Sequence, residues 1–233
     1  MATKLFSGLP VALIAVLSVP IFLLTLFPLI ASTSKSLDNI YLISLIWDNT
    51  VKPVVLLRVG YYGMCWKNSP ADVCLGTSSR SAKTIVSKVF GPNPSQSADD
   101  IAGVQFALDL QRKVFVAFMT AGGLAWFFSL ILVVLVIIAK GNAGASWRTV
   151  ATWLASIGAI LMVASAWSTT SGVRSLEVAS AYLNPEPGFI TGGNLLIGLQ
   201  WAAAILTVIY AWAVSRVTSE GRKDDVYTYN MGR

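Results

Sequence analysis

The sequence predicts a membrane protein of the all-α class, a four-helix transmembrane bundle with one large segment outside the bilayer. Of the 233 residues, 55% are hydrophobic and only 12% are charged. In soluble domains about a quarter of the residues are charged, so this composition is typical of a multi-pass membrane protein. The apolar residues also fall in four stretches, each near the length of about 20 residues that a helix needs to cross a bilayer.

The residue types present make several function classes improbable. The net charge is +6, but the basic residues are spread over loops and tails without a long run, so we expect no nucleic-acid partner. The chain has no histidine and two cysteines, which removes the commonest general base and most metal ligands. We therefore expect no enzyme activity and no metal or other cofactor.

The first span lies within 1–31, over about residues 9–31, and follows a short N-terminus. A cleaved signal peptide is the rival interpretation, but its apolar region would be about 7 to 15 residues long. The apolar stretch here is longer, which favours a retained helix. Pro20 and Pro28 lie inside it and predict a kink or an irregular turn.

Segment 32–113 is the predicted extramembrane loop. Residues 40–47 and 53–65 are rich in aliphatic and aromatic residues and are separated by Asp48-Asn49, which predicts two β-strands joined by a turn. Polar loops are expected over 76–81 and 91–95. A helix is expected to begin at Ser97, which acts as a cap, and to continue into the second span as an amphipathic extension with apolar residues at Ile101, Val104 and Leu108.

The remaining spans are predicted by length and hydrophobicity alone. We place the second span at 114–139, the third at 149–170 and the fourth at 194–214, separated by a short loop at 140–148 and a second extramembrane loop at 171–193. The tail, 215–233, is polar and mixed in charge, and we expect it to be flexible.

Four spans place both termini on one side of the membrane. Basic residues near the span ends favour the side of the termini as the cytosol, although only weakly. Both cysteines lie in the long loop, and disulfides persist outside the cytosol. We therefore expect cytosolic termini and an extracellular long loop.

Small residues within the spans predict how the helices associate. In lipid, helices pair through close backbone approach rather than through apolar burial. Small residues recur every fourth position in the last three spans, at Ala117, Ala121 and Ala125, at Ala151, Ala155 and Ala159, and at Gly198 and Ala202. The predicted spans contain no Asp, Glu, Lys, Arg or His, so an ion pathway through one copy of the chain is improbable.

The segment around the cysteines combines six residues of interest: Gly60, Tyr61, Tyr62, Gly63, Cys65 and Cys74. Cysteines this close can close a small loop in an oxidising compartment, or they can remain free thiols. The glycines permit close approach of another chain segment. All of these residues can serve the fold alone, with partner contacts elsewhere in the loops.

This glycine-cysteine pattern resembles the signature of claudin-like fungal tetraspan proteins. Within them it is most similar to the factor-induced-gene family, whose members regulate calcium influx and support membrane fusion during mating. A second similarity is Asp109-Leu110-Gln111-Arg112 before the second span, a run that resembles the claudins and suggests support between loop and helix. The tryptophan-containing lead of animal claudins is absent, which argues against a tight-junction role.

The resemblance implies a left-handed four-helix bundle topped by a small extracellular antiparallel sheet, with the two cysteines bridging two strands. It also implies a non-enzymatic plasma-membrane protein that regulates calcium influx, membrane fusion or cell contact. The expected partners are membrane lipid and another membrane protein, or a second copy of the chain. The alternative is an oligomeric pore lined by the extracellular loops, but the long loop is more basic than acidic, which disfavours a cation pore.

Overall fold

The computed structural model describes residues 2–49, 52–67, 72–90, 98–112, 116–138, 143–183 and 190–231. Within them, four helices contain an apolar stretch long enough to cross a membrane, at Pro10–Ile30, Phe118–Ile138, Ser146–Ser180 and Asn194–Ser219. The elements in chain order are α1 (Ala2–Ile30), β1 (Ile43–Asn49), β2 (Lys52–Val59), β3 (Gly63–Lys67), β4 (Val73–Gly76), α2 (Ala82–Phe90), α3 (Ala98–Leu110), α4 (Val116–Ile138), α5 (Ala143–Leu183), β5 (Ile190–Gly192) and α6 (Asn194–Met231). The predicted fold class is confirmed.

The chain forms two compact units. The bundle unit comprises Met1–Thr25, Phe118–Ala164 and Trp201–Arg233, and the sheet unit comprises Leu26–Ala117 and Ser165–Gln200. All four long helices contribute to the core of the bundle unit, which contains Ile14, Leu17, Ile21, Trp126, Val133, Ala151, Ala155, Tyr210, Ala213 and Val214.

Small residues bring α4 and α5 together in the bundle unit. A β-carbon added at Gly158 would lie 3.1 Å from the backbone nitrogen of Trp126, and one at Gly122 would lie 3.2 Å from that of Met162. The hydroxyl of Ser129 also donates a hydrogen bond of 3.0 Å to the carbonyl of Ala151. Close backbone approach and interhelical polar contacts are what lipid-embedded helices use to associate.

The predicted small-residue faces are right for one helix only. Ala151, Ala155 and Ala159 of α5 are buried, as predicted. Ala121 of α4 is exposed, and a β-carbon at Gly198 of α6 would meet nothing within 4 Å. The prediction is therefore wrong for α4 and α6, because spacing identifies a helical face but cannot say which of two adjacent faces meets a neighbour.

The sheet of the sheet unit has the strand order β4-β3-β2-β1-β5, and every pair is antiparallel. β1 overlaps the first predicted strand, 40–47, but it begins at Ile43 and continues through Asp48 and Asn49, which were predicted to separate the two strands. The second predicted strand, 53–65, is wrong at its centre, because the chain turns at Gly60 to Tyr62 and divides it into β2 and β3. Ser44 of β1 and Thr191 of β5 share a short side-chain hydrogen bond.

Two helices follow the sheet in sequence. The helix α2 was not predicted, because its nine residues were too few to show a clear period beside the polar loop. Both helices bury apolar residues, with Ile85 and Val86 on α2 and Val104 and Leu108 on α3. The predicted loop at 91–95, the cap at Ser97 and the connection into α4 fall on residues outside the described ranges.

Both last helices run further than their predicted spans. The helix α5 continues to Leu183, so much of the segment predicted as the second loop is helical. The helix α6 continues to Met231, so the segment predicted as a tail is helical over most of its length. No proline lies between Asn194 and Arg233, and once a helix has formed, each further residue adds a hydrogen bond at little cost.

Candidate functional site

The two cysteines join the neighbouring strands β3 and β4. Cys65 lies directly opposite Cys74 in the antiparallel register, and their sulfur atoms are bonded at 2.11 Å, with 4.0 Å between the two Cα atoms. The predicted disulfide is confirmed. It closes the hairpin at the edge of the sheet, since β4 is the last strand on that side.

The two motif glycines make room for the end of α1. A β-carbon at Gly63 would lie 2.3 Å from the carbonyl oxygen of Ser32, and one at Gly60 would lie 2.6 Å from that of Ala31. Any side chain at either position would therefore collide with backbone. Ser32 is buried and has a positive φ of 60°, and the Cys65 sulfur lies 3.3 Å from its carbonyl oxygen.

Gln111 holds the same turn from another direction. Its amide nitrogen donates to the carbonyl oxygens of Gly60 at 2.5 Å and Gly63 at 3.1 Å. Its amide oxygen accepts a hydrogen bond of 2.9 Å from the Thr77 hydroxyl. Because Gln111 is only 3% exposed, this satisfied amide fixes the turn to the segment just before α4.

The next residue, Arg112, holds the other end of the short turn that begins at Thr77. Its guanidinium donates a hydrogen bond of 3.1 Å to the carbonyl oxygen of Arg80. Asp109, the other residue of this run, accepts a hydrogen bond of 3.2 Å from Gln105 at the surface of α3. The run therefore brings Gln111 and Arg112 to the loop, whereas Asp109 bonds within its own helix.

Tyr61 reaches from the turn to the last two membrane helices. Its hydroxyl lies 3.2 Å from that of Thr169 on α5 and accepts a short hydrogen bond from the Gln200 amide on α6. Burial raises the pKa of the Tyr61 hydroxyl above its usual 10 and outweighs hydrogen bonds from these groups and Ser165, which lower it. Tyr61 is therefore neutral at physiological pH.

One turn thus contacts residues of α5 and α6 and residues of the segments that follow α1 and precede α4. We call this arrangement the clasp, and it comprises the turn 60–63 with Ser32, Gln111, Thr169 and Gln200. Tyr62 is half-buried, and its carbonyl accepts a hydrogen bond of 2.8 Å from the Thr77 nitrogen.

Sequence reasoning identified the motif residues 60–63 and Gln111, but it did not predict the turn and missed Ser32, Thr77, Thr169 and Gln200. The available signal was weak. Thr169 and Gln200 are polar residues near the ends of predicted spans, and such residues tend to bond to other helices. Their partner lies 108 and 139 residues away in sequence, and no local pattern reports a pairing at that range.

A second polar group, also missed, lies on the sheet. The carboxylate of Asp38 contacts Lys67 at 2.5 Å and Arg58 at 3.4 Å, and the Arg58 guanidinium lies over the Tyr41 ring at 4.9 Å. These contacts tie the segment after α1 to β2 and β3. Within the described ranges, no three Cys, Asp or Glu side chains converge where they could hold a metal ion.

Four helices of membrane-crossing length among the described residues, together with a small sheet closed by a disulfide, define a multi-pass membrane protein of the claudin-like tetraspan class. A family model described as "Ca2+ regulator and membrane fusion protein Fig1" matches residues 48–218. The chain belongs to this Fig1 family, which confirms the predicted resemblance. No curated protein matches the chain significantly.

Proposed function

We propose that this Fig1 protein is a non-enzymatic plasma-membrane regulator of calcium influx and of membrane fusion or cell contact in fungal mating. It acts by presenting the sheet unit to another membrane protein. The observation that carries the proposal is the disulfide-closed hairpin on the clasp, because it supplies a rigid surface attached to the ends of the membrane helices. The family description supports the link to calcium and fusion.

The proposed orientation has the sheet unit outside the cell and both termini in the cytosol. The bond between Cys65 and Cys74 supports it, because such bonds persist outside the reducing cytosol. Four spans then return the chain to the side on which it began.

The buried residues support regulation of a partner rather than conduction. Among the described residues, those buried and polar are neutral Ser, Thr and Gln side chains, without a buried carboxylate or cation. Pathways for ions through membrane proteins are typically marked by ionisable groups at depth or by charged rings at the mouth.

The partner surface in this proposal is the edge strand β4. Its four residues are all partly exposed, and the disulfide holds them against β3. An edge strand carries backbone groups free to pair with another chain, and Val73 and Leu75 add apolar area.

The test has two arms. In fungal cells that express the chain at a matched surface level, we expect Leu75→Asp to reduce calcium uptake and cell fusion, because it places a charge on β4. Ser36→Asp is the matched control, since Ser36 is exposed outside the sheet, and it should behave as wild type.

The second arm uses the purified chain in liposomes loaded with a calcium indicator. The proposal predicts no calcium flux from the chain alone. Flux from the chain alone would establish the oligomeric pore instead, and full activity of Leu75→Asp in cells would show that β4 is not the partner surface.

A further inference from the structure

A group of basic side chains lies beside the clasp without an acidic partner. Arg80, Lys83 and Arg112 are at least partly exposed, and among the described residues none of them forms an ion pair. The carboxylate nearest to Arg112 in sequence, that of Asp109, accepts a hydrogen bond from Gln105. We call Arg80, Lys83 and Arg112 the basic cluster.

The clasp fixes the Arg112 guanidinium and the backbone from which the Arg80 side chain extends. Arg112 directly follows the buried Gln111 and donates to the carbonyl of Arg80, while Arg80 donates its backbone nitrogen to the Thr77 carbonyl at 3.2 Å. Thr77 is itself bonded to Gln111. Lys83 lies in the first turn of α2, three residues after Arg80.

The clasp also indicates the depth of the basic cluster relative to a bilayer. Tyr61 bonds to Thr169, and Trp167, two residues earlier on α5, is 67% exposed. Exposed tryptophans of membrane proteins concentrate at the level of the lipid headgroups. The second candidate span begins at Phe118, shortly after Arg112. Both observations place the basic cluster at the level of the lipid headgroups.

We propose that the basic cluster binds the phosphate group of an anionic lipid in the leaflet next to the sheet unit, and phosphatidylserine is the probe for this class of lipid. The proposal goes beyond the proposed function, because it assigns a lipid ligand to residues outside β4. An arginine guanidinium presents a planar set of donors that matches a phosphate, and Lys83 adds a compact charge. Arg112 keeps donors for this purpose, since one nitrogen atom is used on Arg80.

Native mass spectrometry of the full chain in mild detergent, titrated with phosphatidylserine and with phosphatidylcholine, tests the proposal. We expect tighter binding of phosphatidylserine. Lys83→Gln should weaken the binding of phosphatidylserine about fivefold. The triple change Arg80→Gln, Lys83→Gln and Arg112→Gln should weaken it about a hundredfold. Both figures follow from about 1 kcal/mol for each basic residue at an anionic surface.

Matched controls keep the result interpretable. Lys35→Gln removes an exposed charge elsewhere in the sheet unit and should leave binding unchanged. Arg112→Lys keeps the charge but loses the planar donor set, so its affinity should fall between those of the wild type and the triple variant. Lys83 makes no hydrogen bond through its side chain in the described structure, so Lys83→Gln should fold as wild type.

Three outcomes would overturn the proposal. The first is equal binding of the two lipids by the wild-type chain. The second is an equal loss on Lys35→Gln, which would indicate attraction by overall charge. The third is displacement of the lipid by soluble glycerol phosphate or by an acidic peptide at similar concentration, which would indicate a free phosphate or a protein as the ligand.

Discussion

Different interactions stabilise the interior of the bundle unit and the interior of the sheet unit. The bundle unit packs aliphatic, aromatic and alanine side chains from four helices, with α4 and α5 in close backbone contact at Gly122 and Gly158. The sheet unit depends on a disulfide, a buried glutamine and a buried tyrosine that meet at one turn. The comparison shows that tolerance to substitution should differ between the two units.

The expected difference in tolerance follows from how far each region can shift to accept a larger side chain. A helix in a bundle can move by a few tenths of an ångström to accept a larger side chain, because its partners are also helices. The turn 60–63 is fixed by strands on both sides and by hydrogen bonds to its carbonyl groups, so a similar change there has no direction in which to relax.

The largest effect is expected from Gly63→Ala. Its β-carbon would overlap the backbone of Ser32 and Thr33, and we expect a loss of about 3 kcal/mol or more in the free energy of unfolding. Gly76→Ala is the matched control in the neighbouring strand, where the nearest atom would be 3.8 Å away. Thermal unfolding in detergent measures both, and equal midpoints for the two variants would contradict this account of the motif.

Gln111→Leu should be the next most costly change. It keeps the size of the side chain but leaves the Gly60 carbonyl and the Thr77 hydroxyl without their partner, at about 1 to 3 kcal/mol for each unpaired buried group. Gln105→Leu, on the exposed side of α3, is the control and should cost little. Urea unfolding with matched slopes compares them, and a smaller loss for Gln111→Leu than for Gln105→Leu would refute the role of the clasp.

Tyr61→Phe should cost about 1 to 2 kcal/mol, because it removes the hydroxyl that pairs with the buried side chains of Thr169 and Gln200. It should also change the pH dependence. Since folding raises the pKa of Tyr61, the unfolded state loses this proton first, and the wild-type chain should lose stability as the pH rises above about 10. Tyr61→Phe should lose less stability over that pH interval than the wild type. Tyr182→Phe, a change at an exposed tyrosine, is the control. Identical alkaline stability profiles of the wild type and Tyr61→Phe would contradict the burial of Tyr61.

The smallest effect is expected in the bundle unit. Gly158→Ala places a β-carbon 3.1 Å from the backbone nitrogen of Trp126, which α4 can accommodate by a slight shift, so we expect a change within about 1 kcal/mol. Gly123→Ala meets nothing within 4 Å and should be neutral or slightly stabilising. A loss of stability for Gly158→Ala as large as that for Gly63→Ala would show that the two units do not differ in their tolerance to substitution.

The two units also differ in what could be predicted from the sequence. The spans and the small-residue face of Ala151 and Ala155 follow from local hydrophobicity and helical spacing. The cysteine pair and the glycine motif could be recognised because they lie within 15 residues of one another in sequence. The contacts of Tyr61 with Thr169 and Gln200 could not, because only the folded chain brings such distant polar residues together.

The central claim is that the clasped sheet unit lies outside the cytosol and is the part that meets other molecules. The most direct measurement treats intact cells with a membrane-impermeant amine reagent and maps the modified lysines by mass spectrometry. The account predicts modification of the exposed Lys35, Lys83 and Lys88 and none of Lys223 in the C-terminal segment. Modification of Lys223 with protection of the other three would contradict it.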